Sequence, residues 1–558
     1  MKWKILNKKN IEHRTKCIGE EIIKTLLANR GLKTEKEIDE FLNPKKPEEI
    51  TLKEVGIDSS QVAKAITRIK KAIQKKEKII VYGDYDTDGL CGTAVLWEAL
   101  NYLKADVLPF IPLREEGYGL KVERIEKLAR QGVKLIITVD QGIVFYQQVK
   151  HAQKLGIDVI ITDHHVLGEK KQKALAIIHT TQLSGAGVAW FFARVLRESF
   201  EGKKSDDGLD LVVIATISDM IPLVGPNRSL VKYGLKELRQ NKRPGLLALF
   251  DFAGLKKENL GVFEVSYMIS PRLNAPGRLD DSMESLRLLC TKDEKRAIAL
   301  AQKIDQQNRE RQNLTEKTMI HARELWLKQD GQSDLIFVAH ESYQEGIVGL
   351  VAGKLTEEFY RPAIVVAKGG EFSRGSARSI KEFNILAAIR ACAEMVGAHG
   401  GHQKAAAFTV ETVKIEILKE KLTALTKKGL KNKDLSPTLI IDLELDLEDL
   451  TLAFYKELSC LEPFGEGNPQ PVFATKNVKA VEVRTVGNGN KHLKLRLTSP
   501  VSRLTFDVIG FGMGSFYAQL SPDEPIDIAY NLTPDEWNGN KRLQLKLKDI
   551  KMIHGRET

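Results

Sequence analysis

The first half of the sequence predicts an α/β protein built on a largely parallel, doubly wound sheet, followed by a smaller α/β domain and a β-rich segment. Three observations carry that expectation. Apolar runs of strand length recur at Ile79–Val81, Val107–Ile111, Leu135–Val139 and Val159–Ile161, separated by amphipathic stretches of helical period. A second strand–helix–strand series starts at Leu335–Val338 and continues at Ala363–Ala367. Beyond residue 437 the pattern becomes alternation, at Leu439–Leu447 and Leu493–Leu497, broken by Asn-Gly-Asn turns at 488–490 and 538–540. At 558 residues the chain exceeds what one core organises. It divides into a helical extension over 1–75, a first α/β domain over 76–280, connector helices over 281–330, a second α/β domain over 331–430 and a small β-barrel over 435–558.

In the extension, Ile22, Ile23, Leu26 and Leu27 fall at helical spacing. Ser59-Ser60 is expected to cap a helix through Val62, Ala65, Ile66, Ile69 and Ala72, whose lysine-rich face reads as solvated. Thr291-Lys292-Asp293-Glu294 reads as a capping box. The helical pattern after it, if continuous to residue 328, spans on the order of 50 Å at 1.5 Å per residue. A helix that long connects lobes or forms a coiled coil.

Hydrophobic residues at 42% and charged ones at 28% describe a folded globular chain, and no apolar run approaches a membrane span. A net charge of +11 suits a polyanionic partner. The five cysteines lie far apart with no CxxC pair, which argues against a zinc ribbon or a disulfide framework. Met1-Lys2-Trp3-Lys4 begins no apolar leader, and a cytoplasmic location with no membrane partner is expected.

The chemistry gathers at strand ends, where open parallel sheets bind ligands. The first strand leads into Gly83-Asp84-Tyr85-Asp86-Thr87-Asp88-Gly89, the third into Asp140, the fourth into Asp163-His164-His165. Carboxylates at alternate positions of an extended segment share a face. Alone, that stretch equally suits a solvated acidic turn. With acids from a second strand and Asp-His-His from a third, a cation-binding cluster is the expectation. Asp219, interrupting the apolar Ala215–Leu223, needs a partner or a metal. The mixed oxygen and nitrogen set fits a divalent ion such as Mn²⁺ or Mg²⁺.

Gly83–Gly89, Thr138-Val139-Asp140, Thr162–His165 and Ser218-Asp219 occur in the order of the DHH phosphoesterase superfamily, which the sequence resembles. Leu183–Ala189, Pro271–Leu279 and Gly375–Ser379 sharpen the resemblance to the bacterial RecJ single-strand-specific 5′ exonucleases. The resemblance implies a DHH catalytic domain, a connector helix, a DHH-associated lid domain and a C-terminal OB-fold barrel. It implies Asp140 as the carboxylate shared between two ions, with Asp86, Asp88, Asp219 and His164 as further ligands and Asp84 a ligand or an acid behind them. Asp163 is expected to orient His164, which leaves His165 to contact the phosphate or protonate the leaving group. Ser376, Arg378 and Arg114 are expected to hold a 5′-terminal phosphate, and Asn274 and Arg278 to line the substrate channel. Gly400-Gly401-His402 would admit the nucleotide backbone. Two stretches depart from the family pattern: Ala407 stands where glycine is common, and His179-Thr180-Thr181 replaces an Asn-Pro pair.

The implied activity is metal-dependent 5′-to-3′ hydrolysis of single-stranded DNA to mononucleotides in DNA repair and recombination. The implied partners are single-stranded DNA, a helicase and a single-strand-binding protein, with the enzyme acting as a monomer. The alternative is a DHH phosphodiesterase for short oligonucleotides or cyclic dinucleotides, against which the connector and the terminal barrel argue. A binding scaffold without catalysis is disfavoured by the complete acidic set.

Overall fold

The computed structural model describes residues 1–7, 18–117, 119–202, 207–329, 332–499, 501–502, 504–522, 524–537 and 540–553. Cys17, Asn538 and Gly539 lie outside the described residues. Two compact units form, one from 46–221 with 229–435 and one from 1–45, 222–228 and 436–558. Residues 1–75, read as one helical extension, therefore divide between them. The chain also opens on a strand, β1 (Lys2–Asn7), rather than a helix. Six residues with three charged or amide side chains carry little local signal, and β1 exists because it pairs in parallel with a strand more than 400 residues away.

In the larger unit β2 (Lys78–Tyr82), β3 (Val107–Phe110), β4 (Val133–Val139), β5 (Asp158–Asp163) and β6 (Ala176–His179) form an all-parallel sheet in the order β3-β2-β4-β5-β6. Its central strands are apolar on both faces because helices cover both, and Leu135–Val139 is wholly buried. The chain leaves β2 in one direction to make β3 and crosses back to lay β4 on the other side. The switch between β2 and β4 opens the crevice in which such sheets bind ligands. Strand β6 was not anticipated. It has four residues, too few for a period to show, and is fixed by its pairing with β5.

The helix Thr87–Tyr102 follows β2 and is buried on nearly every side of its first two turns. A side chain at Gly92 would meet Val139 Cγ1 at 2.7 Å and Ala186 Cα at 3.0 Å, so this glycine lets the helix touch both β4 and the helix Gly185–Glu201. The helix Ser59–Gln74 is capped by Asp58, which accepts from Ser60 N at 2.8 Å, and not by the serines. Glu294–Gln329 is one continuous helix of 36 residues, about 54 Å long. It too is capped differently from the expected box: Asp293 accepts from Arg296 N at 2.9 Å while Thr291 holds Asp293 N.

Beyond this helix β7 (Ile336–His340), β8 (Ala363–Ala367), β9 (Phe372–Arg378), β10 (Val396–His402) and β11 (Ala405–Glu411) form a mixed sheet in the order β10-β11-β9-β8-β7, with only β7–β8 parallel. In the smaller unit β12 (Thr438–Glu444) pairs with β1 and with β13 (Phe473–Val486). Then β14 (His492–Thr498), β15 (Thr505–Gly510), β16 (Pro525–Trp537) and β17 (Asn540–Met552) follow, and β13-β14-β15-β17-β16 closes on itself through β16–β13 pairing. The result is a five-stranded barrel, filled by Phe473, Leu495, Leu497, Val508, Ile528 and Tyr530. Ile22, Leu26 and Leu27 of the helix Ile18–Asn29 belong to that same core. No helix among the described residues is long and apolar enough to cross a membrane.

One polar cluster ties together the helices that carry acids to the switch point. Arg243 donates to both oxygens of Glu98 at 2.6 and 2.8 Å and to Asp210 at 2.6 Å, and Asn241 adds a second bond to Asp210. Glu98 lies on Thr87–Tyr102 and Asp210 on the helix Leu209–Ser218. Replacing Arg243 with alanine strands two poorly hydrated carboxylates, and a loss of about 3–5 kcal/mol in unfolding free energy is expected. Chemical denaturation measures it, and an unchanged midpoint would contradict the pinning role.

Candidate metal centre

Between β2 and Thr87–Tyr102 the backbone must turn sharply, and Gly83 and Gly89 make that turn possible. A Cβ on Gly89 would lie 2.7 Å from Asp84, and one on Gly83 would collide with Thr93 Oγ1. Asp86 caps the new helix, accepting from Asp88 N and Gly89 N at 3.0 and 3.1 Å. Asp88 reaches across to the next helix, where Gly185 N and Ala186 N donate to its two oxygens at 2.6 and 2.7 Å. A helix N-terminus favours that negative charge.

Asp140 follows β4 with φ 61°, a left-handed conformation that non-glycine residues adopt rarely. It brings its carboxylate between the two acid sets, and a Cβ on Gly185 would lie 2.6 Å from Asp140 Cβ. Three sets of donor atoms lie within 4.8 Å of one another: Asp84, Asp86 and Asp140; Asp88, His164 and Asp219; Asp140, His164 and His165. His164 Nε2 is 3.1 Å from Asp140 Oδ1 and 3.7 Å from both Asp88 Oδ2 and Asp219 Oδ2.

Burial raises the proton affinity of Asp84, Asp88 and Asp140 above the ordinary carboxylate range, and neighbouring carboxylates add to it. Burial followed by Asp88 and Asp86 pushes Asp219 up to about 8. Asp84 Oδ1 is buried with no hydrogen-bond partner among the described residues. A cluster of crowded acids with an orphaned oxygen fits divalent cations, and a donor set of mostly oxygens with imidazole nitrogen from His164 and His165 fits Mn²⁺ or Mg²⁺.

Asp163 works behind this cluster. Its Oδ1 accepts from His164 N at 2.7 Å and from His165 N at 3.1 Å, and lies 2.9 Å from His165 Nδ1. Its Oδ2 accepts from Ile143 N at 2.9 Å. The ring oriented by Asp163 is thus that of His165, where the sequence reading had His164. Burial alone would lower the pKa of His165, but Asp163, bonded to its ring, together with Asp219 and Asp84, carries it up to about 9. Burial would raise Asp163, and its bonds from His165 and Ile143 outweigh that and hold it below the usual range.

His179, one of the two departures from the family pattern, has its Nε2 2.7 Å from the His165 carbonyl, so it braces the same turn from β6. Gln141 is a residue the sequence reading passed over. It is fully buried and its Nε2 donates to the Gly83 carbonyl at 2.7 Å, joining the β2 and β4 loops. The sequence signal for it was its position directly after Asp140.

The expected phosphate-binding residues also converge. Arg114 donates to the Gly277 carbonyl at 2.7 Å and lies over the Tyr85 ring at 4.4 Å, beside the acidic loop. Arg278 donates to the Gly346 carbonyl at 3.0 Å, an approach that needs Gly346 because a Cβ there would lie 2.0 Å from the Arg278 carbonyl. Arg378 donates to Ser376 Oγ at 3.3 Å and to the Ala377 carbonyl at 2.8 Å. Burial, then Arg114, Arg311 and Arg378, bring Arg278 down to about 10. Asn274 accepts from Thr87 N at 2.8 Å, which places it on the acidic loop. Gly400, Gly401 and His402 lie on exposed β10, aligned through Ala407, Ala406 and Ala405 with Ser376, Ala377 and Arg378. Ala407 therefore stands in the same cross-strand row as Gly400 and Ser376.

With a chelator present, the acid cluster sets how stability depends on pH. A carboxylate whose folded pKa exceeds its unfolded value binds more protons folded than unfolded, so stability falls as pH rises from about 4 to its folded value. For Asp219 that value is about 8. His165, raised to about 9, acts in the same direction: its contribution is whole below about 6.5 and lost through 9. Asp163, lowered, has the opposite sign but acts only below its ordinary value. The melting temperature in chelator is expected to fall between pH 5 and 8, and added Mn²⁺ to reverse the fall. A rise over that window without metal would contradict the cluster's electrostatics.

Comparison with known proteins agrees with this geometry. The model of the DHH family, N-terminal domain, matches residues 78–216, the DHHA1 domain residues 332–428, and the RecJ OB domain residues 441–549. The chain is 35% identical to the single-stranded-DNA-specific exonuclease RecJ of Bacillus subtilis over 98% of this chain and 70% of that one. It is 30% identical to the Escherichia coli protein of the same description over 95% of each. The crystal structure of RecJ in complex with Mn²⁺ from Thermus thermophilus superposes with a TM-score of 0.83 at 28% identity, covering 99% of this chain and 80% of that one. The corresponding Mg²⁺ complex gives 0.77 at 27% identity, covering 99% and 79%. With acids and Asp-His-His at one switch point, and all three domain models matched in order, the chain belongs to the RecJ family of DHH proteins.

Proposed function

We infer that this chain is a divalent-metal-dependent exonuclease that hydrolyses single-stranded DNA from its 5′ end to mononucleotides, in DNA repair and recombination. The observation that carries the reading is Asp140, held at φ 61° where it joins two sets of ligand atoms. Asp84, Asp86 and Asp140 would hold one ion and Asp88, His164 and Asp219 the other, with Asp140 within reach of both. A pair of Mn²⁺ or Mg²⁺ ions supplies Lewis-acid polarisation of the scissile phosphate and of the attacking water. The single-strand specificity for which the relatives are named, and the Mn²⁺ and Mg²⁺ complexes of the Thermus thermophilus protein, support both parts of the reading.

The chain's own groups account for the rest. His165 is fixed by Asp163, which favours its protonated form, so it is placed to hold the phosphate and to give a proton to the departing 3′ oxygen. Cleavage of the bond between phosphorus and the 3′ oxygen releases a nucleoside 5′-phosphate and leaves a new 5′-phosphate on the strand. That group is what Arg114, Ser376 and Arg378 would grip, with forked guanidiniums suited to its oxygens. Arg278 would line the path, and Asn274 would keep the acidic loop in register. The sheet carrying Gly400, Gly401 and His402 presents a row of small side chains to a passing backbone.

In the barrel, Lys476, Arg484 and Arg496 pair with Glu444, Glu482 and Asp507. Lys479, Lys491 and Lys494 form no ion pair among the described residues, and exposed Phe511 lies edge-on to His492 at 5.3 Å. Free cations beside exposed rings suit unpaired bases and their phosphates. One chain carries every group assigned, so a monomer suffices. A helicase and a single-strand-binding protein, which produce and cover such strands in the cytoplasm, are the partners this reading calls for.

Three outcomes test it. Asp140→Asn is expected to lower kcat by about 10³-fold or more in saturating Mn²⁺. Its melting temperature in chelator should hold or rise, because one crowded charge is gone. Full activity would refute the assignment. With end-labelled substrates, labelled mononucleotide should appear first from the 5′ end of single strands and not from blunt duplexes. Initial release from the 3′ end would refute the polarity. Arg378→Ala should cut the preference for a 5′-phosphate over a 5′-hydroxyl end by about tenfold, seen as the ratio of kcat/KM values. An unaltered ratio would remove Arg378 from the terminal site.

A further inference from the structure

Three arginines meet on and beside the connector helix, and two of them are spoken for. Arg272, from the segment that ends in Asn274, and Arg309 on the helix bond to opposite oxygens of Asp305, each at 2.9 Å. Arg311 has no such acid. Its Nε and Nη2 donate to Asn308 Oδ1 at 3.3 and 2.9 Å, and it forms no ion pair among the described residues. Asn308 itself is buried, so the guanidinium is fixed from behind by a neutral group and keeps its full charge unmatched. Burial, followed by Arg272, lowers its pKa.

The nearby acids bond to other groups: Asp305 to Arg272 and Arg309, and Asp280 to Gln307. Gln307, one helical turn earlier on the same face, donates to Asp280 Oδ2 at 3.3 Å, which seats the segment 276–280 against this face of the helix. Arg278 lies in that segment, deeply desolvated, and donates to the neutral Gly346 carbonyl, with Asp86 the carboxylate that bears on it. Arg114 and Arg378 also bear on it electrostatically. Around Arg278 three guanidiniums outweigh the one carboxylate that bears on it, Asp86, so the group is stabilised when an anion enters. Arg114, Ser376 and Arg378 already account for one terminal phosphate, and Arg311 stands apart from them on a different element.

We propose that Arg311, together with Arg278, forms a second phosphate subsite that takes an internal phosphodiester of the strand whose 5′-phosphate lies between Arg114, Ser376 and Arg378. The proposal rests on the exonuclease reading above and adds to it a grip on the strand body that does not depend on the end group. The connector helix is then a substrate-binding element as well as a link. A flexible single strand held at two phosphates is oriented as well as anchored.

The test is the salt dependence of kcat/KM on thymidine oligomers with a 5′-phosphate and with a 5′-hydroxyl, in Mn²⁺. Each phosphate contact on a single strand contributes about 0.7 to the slope of log affinity against log salt. Arg311→Gln is expected to lower that slope by about 0.7 on both substrates, to reduce kcat/KM by about tenfold at moderate salt, and to leave the preference for the 5′-phosphate intact. Arg311→Lys should restore the slope. The slope is a property of active molecules, so partial unfolding of a variant does not mimic the effect. An unchanged slope in Arg311→Gln overturns the subsite. A slope lost only with the phosphorylated strand assigns Arg311 to the terminal site and overturns a separate one. Wild-type enzyme that attacks 3′ ends would defeat the parent reading instead, an outcome separable from either of these.

Discussion

Mutual repulsion among buried carboxylates is the constraint from which the rest of this molecule follows. Asp84, Asp86, Asp88, Asp140 and Asp219 are drawn to one point by two strands and a helix end, and Asp84, Asp88 and Asp140 are buried there away from water. Nothing about chain folding favours such a meeting. Three of the acids are separately fastened: Asp86 by the first turn of its own helix, Asp88 by the N-terminus of another, and Asp140 by a backbone conformation with few alternatives. The remaining cost is offset when cations arrive, which makes the centre a preorganised ligand set rather than one assembled on binding.

The scaffold reads as a response to that cost. Arg243 braces the helices that bear Asp88 and precede Asp219 at a distance from the acids, using carboxylates of its own. Gly92 and Gly185 permit backbone approaches that no other residue allows. His179 and Gln141 tie adjacent strand ends by bonding carbonyls. Beside the acids the balance of charge inverts, and Arg278, within reach of Asp86, has Arg114, Arg311 and Arg378 around it. Acids that need cations beside arginines that need anions is the electrostatic pattern of a site for a phosphodiester.

Much of this was legible in the sequence, for reasons that can be named. Parallel strands buried on both faces announce themselves as apolar runs, so β2, β4 and β5 and the acids beyond them were found directly. The 36-residue helix was visible from its period. What escaped was fixed by distant partners. Strand β1 is polar and is a strand only beside β12, and β6 is too short to show a period. Capping was misplaced by one or two residues at Asp58 and Asp293, since serine, threonine and aspartate compete for the same role. Likewise, which of two adjacent histidines Asp163 would orient depends on a turn geometry that spacing does not encode. The departure at His179 was visible, but its bond to the His165 carbonyl was not.

The most direct test of the account is anomalous diffraction at the manganese edge from crystals of the protein grown with Mn²⁺. Two peaks are expected, one at Asp84 and Asp86, one at Asp88, His164 and Asp219, with Asp140 bonded to both. A single peak, or two that leave Asp140 unbonded, would contradict the claim that this carboxylate organises the centre.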